Sequence, residues 1–497
     1  MNKEVFEQLT QQGFNVIPVY RQRFADADTP LSVFARLDKN TPSYLLESVE
    51  GGETWARYSI IGLGESTIFS CNNGILDIQS EDGSISTEDN VDPYQFIRDF
   101  QSQFKVPTQQ QLPELPNFTG GLVGYFGYDA VRYIEPHLKG MAPEADPVGL
   151  PDIWMMLSKT VIVFDNLKDT LFLIAHVDIE NGETYEDAQN KLNRLEDLLD
   201  TPILLKTKPH TFPRFHSLTG EEAYKASVEK VKEYIRAGDV MQVVPGHRMV
   251  SDFDGEPLQV YRALRHLNPS PYLFLVQGHT IQDKTPFHIV GSSPEILSRL
   301  ENGIATVRPL AGTRPRGKTA EEDLMLEKEL LADEKEIAEH LMLIDLGRND
   351  VGRVSKTGKV KVTDKMIVER YSHVMHIVSN VQGEVNDDVD ALDVFKATFP
   401  AGTLSGAPKV RAMQIIDEVE PVKRGIFGGA VGYLGWHGEM DMSIAIRTCV
   451  IRENRVYVQA GAGLVADSNP EAEWNETQIK ARAVIKAVEL SSNGLIL

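Results

Sequence analysis

Two pairs of glutamates, far apart in the sequence, have a spacing that could create a metal site. Glu336 and Glu339 form one pair, and Glu473 and Glu476 form the other. Residues three positions apart lie on one face of a helix. Carboxylates from two helices, with no cysteine nearby, suit Mg²⁺, which binds one or two carboxylates together with waters and substrate oxygens. Acidic pairs are also common on solvated helix faces, so the spacing leaves both interpretations open.

Glycines and cations near the second pair could bind an anion. The segment Gly461-Ala462-Gly463 would leave backbone N–H groups free for a carboxylate. Lys480 lies one helical turn after Glu476 and could pair with that acid or with a ligand. Arg447 lies within the apolar run IAIRTCVI, predicted to be a strand. A half-buried arginine needs a carboxylate partner, which is either structural or part of a ligand.

A different chemistry is suggested by the segment from Gly312 to Thr319, which fits the phosphate-loop spacing G-x-x-x-x-G-K-[ST]. Asp345, after an apolar run, imitates the Mg²⁺ ligand of the P-loop NTPases. However, Pro315 removes one backbone N–H group from the loop. The run before Asp345 also has helical rather than strand spacing. A P-loop NTPase is therefore a remote alternative.

The composition narrows the function classes further. The chain has 497 residues, 50 of them basic and 72 acidic, which gives a net charge of −22. This charge disfavours binding to a nucleic-acid backbone or to an anionic membrane. Two cysteines, Cys71 and Cys449, cannot form a disulfide framework. Because the N-terminus lacks a signal-peptide pattern and no apolar run approaches about 18 residues, we expect a cytoplasmic protein.

The elements that must position these residues mix helices and strands. Residues Ile153–Val177 predict a hairpin that turns at Asn166–Asp169. A helix capped by Thr184 and Asp187 is predicted to follow and to run to Asp200. The proline-containing stretch Asp200–Leu218 predicts a linker. We therefore place a boundary near residue 210, with an N-terminal region 1–210 and a catalytic region 211–497.

The C-terminal region has its own start and stop signals. A capping box at Thr219–Glu222 predicts a helix that ends at Gly238. The stretch Thr319–Leu346 is predicted to be helical with short breaks, and Ser405 is expected to be the N-cap of a helix running to Val419. Residues Ile444–Val458 predict a hairpin that turns at Glu453-Asn454.

One glycine pattern occurs twice, as GGLVGYFGY from Gly120 and as GGAVGYLGW from Gly428. Glycine in a strand often marks a close approach of backbone to backbone or ligand. The repeat therefore predicts two equivalent central strands, one from each side of the boundary, although a coincidence between glycine-rich strands is the alternative.

Twelve segments, taken in order, carry a family resemblance that extends from about residue 40 to 490. They are LLES at Leu45, RYSIIG at Arg57, GGLVGYFGYD at Gly120, GDVMQVV at Gly238, NPSPY at Asn268, GSSPE at Gly291, RPLAGTRPRG at Arg308, AEHLMLIDLGRND at Ala338, HVMHIVSNVQG at His373, FPAGTLSGAPK at Phe399, GGAVGYLGW at Gly428 and QAGAGLVADSNPEAEWNET at Gln459. Together they resemble the chorismate-utilising enzymes, specifically the anthranilate synthase component I family. The resemblance implies an α/β chorismate-binding fold, in which two large β-sheets pack as a sandwich with helices outside.

The resemblance also implies a reaction, a metal and a set of site residues. The expected reaction is the Mg²⁺-dependent lyase reaction of chorismate with ammonia to anthranilate and pyruvate, the first committed step of tryptophan biosynthesis. Glu339 and Glu476 are the implied Mg²⁺ ligands. The implied chorismate-binding residues are Gly312, Thr313, Phe427, Arg447, Gly461, Ala462, Gly463 and Lys480. Phe427 departs from the tyrosine that is usual in the family.

The acid–base residues are likewise expectations from the resemblance. Glu295 is the candidate acid for the departing hydroxyl, and His376 with Thr403 is expected near the reacting ring carbons. His373 lies nearby, but the motif match favours His376. Gln242 takes the position of the lysine that activates water in isochorismate and salicylate synthases, so water should not be the nucleophile.

One position distinguishes this chain from a related activity of the same family. Ala311 replaces the nucleophilic lysine of typical aminodeoxychorismate synthases, so no covalent adduct can form there. A rival of the same fold would stop at the amino intermediate, as in phenazine pathways.

A partner and a regulatory site complete the expectations. Because no cysteine lies in a glutaminase motif, either a separate glutamine amidotransferase subunit hydrolyses glutamine or the enzyme uses free ammonia. We expect the partner, component II, in a hetero-oligomer. The implied tryptophan feedback residues are Glu47, Ser48, Pro271, Tyr272 and Leu273. Leu273 replaces the common methionine, and Gly246-His247 replaces the usual Ser-Gln. A tryptophan-binding subunit without catalysis is another alternative.

Overall fold

The computed structural model describes residues 1–37, 41–48, 57–64, 67–203, 205, 209–371 and 374–496. Two eleven-stranded sheets dominate the described chain, and all of its described strand pairs are antiparallel. The first sheet has the spatial order Val16–Phe24, Thr170–Asp178, Thr160–Asp165, Tyr58–Leu63, Ser43–Glu47, Tyr272–His279, Pro286–Ser293, Thr448–Arg452, Arg455–Gly461, Gly246–Asp252 and His216–Ser217.

The second sheet has the spatial order Ser355–Val362, Val381–Val385, Ile304–Val307, Ile296–Glu301, Met440–Ile444, Ala430–Gly435, Gly121–Phe126, Ile153–Ser158, Ile68–Asn72, Ile75–Gln79 and Ile85–Glu88. A three-stranded sheet consists of Leu310–Pro315, Val374–Val378 and Ile367–Arg370, and a two-stranded sheet pairs Gln242–Val243 with Gly406–Ala407. Among the described residues, the α-helices are Lys3–Gln11, Pro30–Phe34, Pro93–Ser102, Tyr185–Asp200, Glu221–Ala237, Pro257–Leu267, Ala320–Ala332, Glu334–Gly352, Ala391–Thr398, Lys409–Val419 and Pro470–Ser492. Short 3₁₀ helices span Tyr128–Tyr133, Pro136–Leu138 and Gly402–Leu404.

The two large sheets pack face to face, and the alternation of side chains in their strands shows why. In the strand Gly121–Phe126, Val123 and Tyr125 belong to the core shared with the first sheet. Leu122 and Phe126, on the opposite face, pack in a second core with residues of the helices Pro93–Ser102 and Ala391–Thr398. Successive strand residues point to opposite faces, so this fully buried strand serves both cores. The predicted sandwich with helices outside is confirmed.

The two glycine-rich segments form neighbouring strands at the centre of the second sheet. Gly121–Phe126 pairs with Ala430–Gly435, and Gly124 lies opposite Gly432. A Cβ atom at Gly124 would lie 2.1 Å from the carbonyl oxygen of Trp154, so only glycine fits this close approach. The prediction of equivalent central strands from the two regions is confirmed.

Local signals predicted several elements correctly. Thr184 caps the helix Tyr185–Asp200 in a reciprocal capping box with Asp187. The hairpin turns at Asn166–Asp169 and at Glu453-Asn454 are both present. The predicted helical stretch is divided at Asp333, which caps the second of its two helices.

Two predicted helix starts were wrong. The helix Glu221–Ala237 begins after Gly220, whose φ is 82°, and the Thr219 hydroxyl is buried without a described partner instead of capping the helix. Ser405 does not cap the helix Lys409–Val419, because Gly406-Ala407 pairs as a strand with Gln242-Val243. A pairing with a distant part of the chain therefore determines the backbone before the second of these helices.

Strands from both sides of residue 210 contribute to both large sheets. The division into regions 1–210 and 211–497 therefore stays a prediction about where regulatory and catalytic elements lie. None of the described helices combines the length and the apolar character needed to cross a bilayer.

Candidate active site

A cavity of about 470 Å³ brings together most of the predicted catalytic, substrate-binding and metal-binding residues. Its walls include segments from the two-stranded and three-stranded sheets, the 3₁₀ helix Gly402–Leu404, and the helices Glu334–Gly352 and Pro470–Ser492. The predicted residues in its lining are Gln242, Glu295, Gly312, Thr313, Glu339, His376, Thr403, Phe427, Arg447, Gly461, Gly463, Glu476 and Lys480. Ala462 lies between two lining glycines, but its own N–H donates to the carbonyl of Pro245 at 3.2 Å.

Four carboxylates from two helices meet at this cavity. Glu336 and Glu339 come from one helix, and Glu473 and Glu476 from the other, as their spacing predicted. Burial, followed by repulsion from Glu339, raises the pKa of Glu336. Burial is also the largest cause that raises the pKa of Glu473, and Glu476 adds to it. The paired acids therefore gather negative charge that a cation would relieve.

Hydrogen-bond donors already contact two of these acids, Glu339 and Glu476, whose carboxylate oxygens are the ligands that a small hard cation would take. The Gln242 Nε2 atom donates to Glu339 Oε1 at 3.4 Å, and Lys480 Nζ lies 2.7 Å from Glu476 Oε1. Within the described part of the chain, no cluster of three or more His, Cys, Asp or Glu side chains has the arrangement of a complete metal site. A cation that takes one or two carboxylates and completes its shell with water and substrate fits this pattern.

The two predicted cations line the cavity, but Arg447 differs from the expectation. It precedes the strand Thr448–Arg452 and has a φ of 51°, in the left-handed region, so the prediction that it lies within a strand was wrong. Its Nη1 atom donates to the carbonyl of Lys480. Burial lowers the pKa of Arg447, while the charges of Glu295 and Glu476 oppose this effect. Lys480 also donates to the Gly461 carbonyl at 3.1 Å.

Glu295 is a buried carboxyl group whose pKa lies close to neutral pH. It connects the strands Pro286–Ser293 and Ile296–Glu301, and burial raises its pKa to about 7. The nearby Thr403 hydroxyl, Lys480 and Arg447 favour the charged form and partly offset the burial. The Thr403 hydroxyl is itself buried, and it forms no complete hydrogen bond with any described group. A carboxyl with this pKa can carry and release a proton near neutral pH.

His376 lines the same cavity from the three-stranded sheet, in the strand Val374–Val378. Its Nδ1 atom lies 3.0 Å from the Gly312 carbonyl and 3.0 Å from the Thr313 hydroxyl. Because a carbonyl can only accept, we assign the proton to Nδ1, which leaves Nε2 as the basic nitrogen. Burial lowers the pKa of His376 to about 4, so the imidazole is neutral at physiological pH. His373 lies outside the described residues.

The phosphate-loop pattern does not form a phosphate cradle. Gly312 belongs to the strand Leu310–Pro315, and the Gly317 N–H donates to Asp323 Oδ1 at 2.8 Å. The Lys318 N–H donates to Glu322 Oε2 at 2.7 Å, and Asp345 lies within a helix. These N–H groups already bind carboxylates, which argues against the NTPase alternative.

A second cavity, of about 320 Å³, lies between the two large sheets. All five predicted feedback residues line it: Glu47, Ser48, Pro271, Tyr272 and Leu273. Glu47 is bound by Arg265 Nε at 3.1 Å and by the Tyr261 hydroxyl, and the Tyr272 hydroxyl donates to Asp441 Oδ1 at 2.8 Å. Arginines, carboxylates and aromatic rings share this lining, a composition that fits a zwitterionic aromatic ligand.

Sequence reasoning missed some lining residues of both cavities. Gln459 and Lys335 line the first cavity, and Arg299 and Asp441 line the second. Gln459 opens the segment QAGAG, so its motif position was a usable signal. The pairing of Arg299 with Asp441, at 2.6 Å, joins neighbouring strands that no short-range pattern connects.

Comparisons with known proteins agree with this geometry. The chorismate binding enzyme family matches residues 41–486. Anthranilate synthase component 1 of Acinetobacter calcoaceticus is 81% identical over 492 residues, covering 99% of each chain. The chain belongs to the anthranilate synthase component 1 family of chorismate-binding enzymes.

More distant relatives extend the likeness. The Aquifex aeolicus anthranilate synthase component 1 is 48% identical and covers 97% of this chain and 96% of its own. The solved structure of component I from Streptococcus pneumoniae TIGR4 is 37% identical, with a TM-score of 0.76, over 88% of this chain and 94% of that one. The menaquinone-specific isochorismate synthase of Escherichia coli, at 19% identity and a TM-score of 0.69 over 98% of this chain and 99% of that one, shares the fold. The predicted family, fold and lyase class are confirmed.

Proposed function

We propose that this chain combines chorismate with ammonia to give anthranilate and pyruvate, using the 470 Å³ cavity as its active site. The observation that carries the assignment is the meeting of two helix-borne carboxylates, Glu339 and Glu476, with two cations, Arg447 and Lys480, in one cavity. Chorismate is a dicarboxylate, so it needs cations in a chain whose net charge is −22. The cavity supplies them locally.

Mg²⁺ is the proposed cofactor, and Glu339 and Glu476 are the residues that would hold it. When bound, the cation supplies positive charge that neutralises a substrate carboxylate and helps to orient the ring. Lys480 and Arg447 bind substrate anionic groups beside it. The backbone of Gly461, Ala462 and Gly463 is also proposed to contact the substrate, apart from the Ala462 N–H group, which already binds the Pro245 carbonyl. Gly312, Thr313 and Phe427 complete the proposed contacts.

Glu295 is the proposed proton donor of the first step. The nitrogen lone pair of ammonia forms a bond to ring C2, the ring double bonds shift, and the C4–O bond breaks. The departing hydroxyl takes the proton of Glu295 and leaves as water, and the new ammonium group on C2 loses one proton to give the neutral amine. The pKa of about 7 supports this role, because an ordinary glutamate would be almost fully ionised at neutral pH.

His376 is the proposed base of the second step, with Thr403 beside the reacting ring. Removal of the C2 proton and cleavage of the C3–O bond restore the aromatic ring and release the enolate of pyruvate, which takes up a proton to give pyruvate. The neutral imidazole, with Nδ1 bound to the Gly312 carbonyl, offers Nε2 for that proton. Ammonia needs no base to become nucleophilic, and the Gln242 side chain could not supply one for water. At Ala311 there is no side chain that could form an adduct.

The second cavity is the proposed tryptophan feedback site, and a glutamine amidotransferase, component II, is the proposed source of ammonia. The five predicted residues lie together in that cavity, which supports the assignment. The reaction uses metabolites of the cytoplasm, and we propose that location for the protein.

The test combines product analysis with matched variants. The purified chain, given chorismate and ammonium at mildly alkaline pH, should form anthranilate and pyruvate only with Mg²⁺, and tryptophan should suppress both products. Glu339→Gln and Glu476→Gln should remove Mg²⁺-dependent turnover. Glu471→Gln is the control on the same helix, because Glu471 pairs with Lys225 outside the cavity. Release of the amino intermediate without pyruvate would favour the phenazine-type rival, and full activity in both cavity variants would contradict the proposed metal site.

A further inference from the structure

Behind one wall of the active-site cavity lies a buried ion pair between Glu420 and Arg424. Their side chains are only 4% and 2% exposed, and neither residue lines the cavity. Glu420 follows the last residue of the helix Lys409–Val419, and Arg424 lies in the loop after it. The Arg424 Nε atom lies 3.1 Å from both carboxylate oxygens of Glu420. The pair thus aligns the guanidinium plane and directs its remaining N–H groups elsewhere.

Those remaining donors bind two backbone segments of the cavity wall. Arg424 Nη1 donates to the Leu404 carbonyl at 2.7 Å, and Nη2 donates to the Val244 carbonyl at 2.6 Å. Leu404 directly follows Thr403, and Val244 lies two residues after Gln242. The Val244 N–H also donates to the Ser405 carbonyl at 3.0 Å, which ties the two segments to each other.

The carboxylate of Glu420 binds the Val244 segment a second time, at Gly246, and also binds a third segment of the same wall, at Gln459. Its Oε1 atom accepts the Gly246 N–H at 2.7 Å, and its Oε2 atom accepts from Gln459 Nε2 at 3.4 Å. Gln459 lines the cavity, and its amide orientation is fixed because Arg248 Nη2 donates to its Oε1 atom at 2.8 Å. Three chain segments that are distant in sequence therefore converge on one ion pair.

A buried ion pair by itself is weak evidence for stability, since apolar residues of similar volume often replace such pairs without loss. The partners of this pair indicate a different role. We propose that Glu420 and Arg424 are positioning residues, which hold Thr403, Gln242 and Gln459 in the relative places that the reaction requires. The inference rests on the proposed function of the cavity, and neither residue touches the substrate.

Two substitutions separate positioning from stability. In Arg424→Lys the charge remains, but one ammonium group cannot reproduce the planar fork that reaches Glu420 and both carbonyls. The double variant Glu420→Leu with Arg424→Met removes the pair without leaving an unpaired buried charge. We expect both variants to fold and to lose about 100-fold in kcat/KM, the scale of a small misplacement of catalytic groups.

A specific readout is the ratio of released amino intermediate to anthranilate. Because Thr403 is proposed to lie beside the ring during pyruvate elimination, displacing its segment should raise this ratio. A simple loss of folded protein would lower both products equally. Circular dichroism and the melting temperature report the folded fraction of each variant.

Arg132→Lys is the matched control. Arg132 is also largely buried. It pairs at 2.8 Å with Asp417, which lies in the helix Lys409–Val419 that precedes Glu420, but the partners of Arg132 do not line the cavity. Its substitution should leave the product ratio unchanged. An unchanged ratio and an unchanged kcat/KM per folded molecule in both Arg424 variants would overturn the positioning role. Absence of anthranilate from the wild-type chain would instead contradict the proposed function.

Discussion

Replacement of Glu295 by glutamine should stabilise the folded chain above neutral pH and at the same time remove most of its activity. Burial raises the pKa of Glu295 from 4.5 to about 7. The folded state therefore binds the proton more tightly than the unfolded state does. The stability that this group contributes is greatest at low pH and is lost as the pH rises from 4.5 through 7.

The size of the effect follows from that pKa. At 1.36 kcal/mol per pH unit, the ionised side chain costs about 3 kcal/mol of folding free energy above pH 7. A glutamine cannot ionise and avoids this cost. For 497 residues, an unfolding entropy of about 2.1 cal/mol/K per residue converts 3 kcal/mol into a rise of about 3 °C in the melting temperature. The activity should fall by about 10²- to 10⁴-fold, the usual contribution of a positioned proton donor.

The assay is a set of thermal unfolding curves for wild type and Glu295→Gln between pH 4.5 and pH 8, at one scan rate, with turnover measured in parallel. The difference in melting temperature should be small at pH 4.5 and reach its full value near pH 8. Glu439→Gln is the control, since burial also raises the pKa of Glu439 to about 7. Glu439 lines the second cavity and not the active-site cavity, so its turnover is measured without tryptophan. It should show the stability gain and keep its chorismate turnover. A pH-independent difference, or an active Glu295→Gln, would refute the reasoning.

Three further predictions concern other residues. Lys480→Met should raise the KM for chorismate by about 10- to 100-fold, because it removes a charged hydrogen-bond donor; initial rates against chorismate concentration test this, and an unchanged KM would contradict the substrate contact. His376→Asn should slow pyruvate elimination by about 10²- to 10⁴-fold and release the amino intermediate, as measured by chromatography; normal anthranilate yields would exclude His376 as the base. Tyr272→Phe removes the hydroxyl bound to Asp441 and should weaken tryptophan inhibition by about fivefold; an unaltered inhibition constant would remove Tyr272 from the feedback site.

Local patterns were enough to predict much of the secondary structure. The capping box at Thr184 and the turn at Glu453-Asn454 involve residues within a few positions of one another, so their sequence carries the whole signal. The helix starts expected at Thr219 and Ser405 were wrong, and at Ser405 the cause lies outside the local sequence. A strand pairing with Gln242-Val243 occupies the residues after Ser405, and that pairing comes from a distant part of the chain.

For the candidate site too, local sequence predicts some features and tertiary packing decides the others. Helical spacing places Glu336 with Glu339, and Glu473 with Glu476, on one helix face each, and the motif resemblance names the residues that matter. Only the tertiary structure brings the two helices to one cavity, gives Arg447 its left-handed backbone and buries Glu295 until its pKa reaches about 7. Spacing is a property of neighbouring residues, whereas burial and the fields that shift a pKa depend on distant segments packing around a group. Residue types and local spacing therefore identify the groups that could do the chemistry, whereas tertiary packing sets their protonation states and brings them together in one cavity.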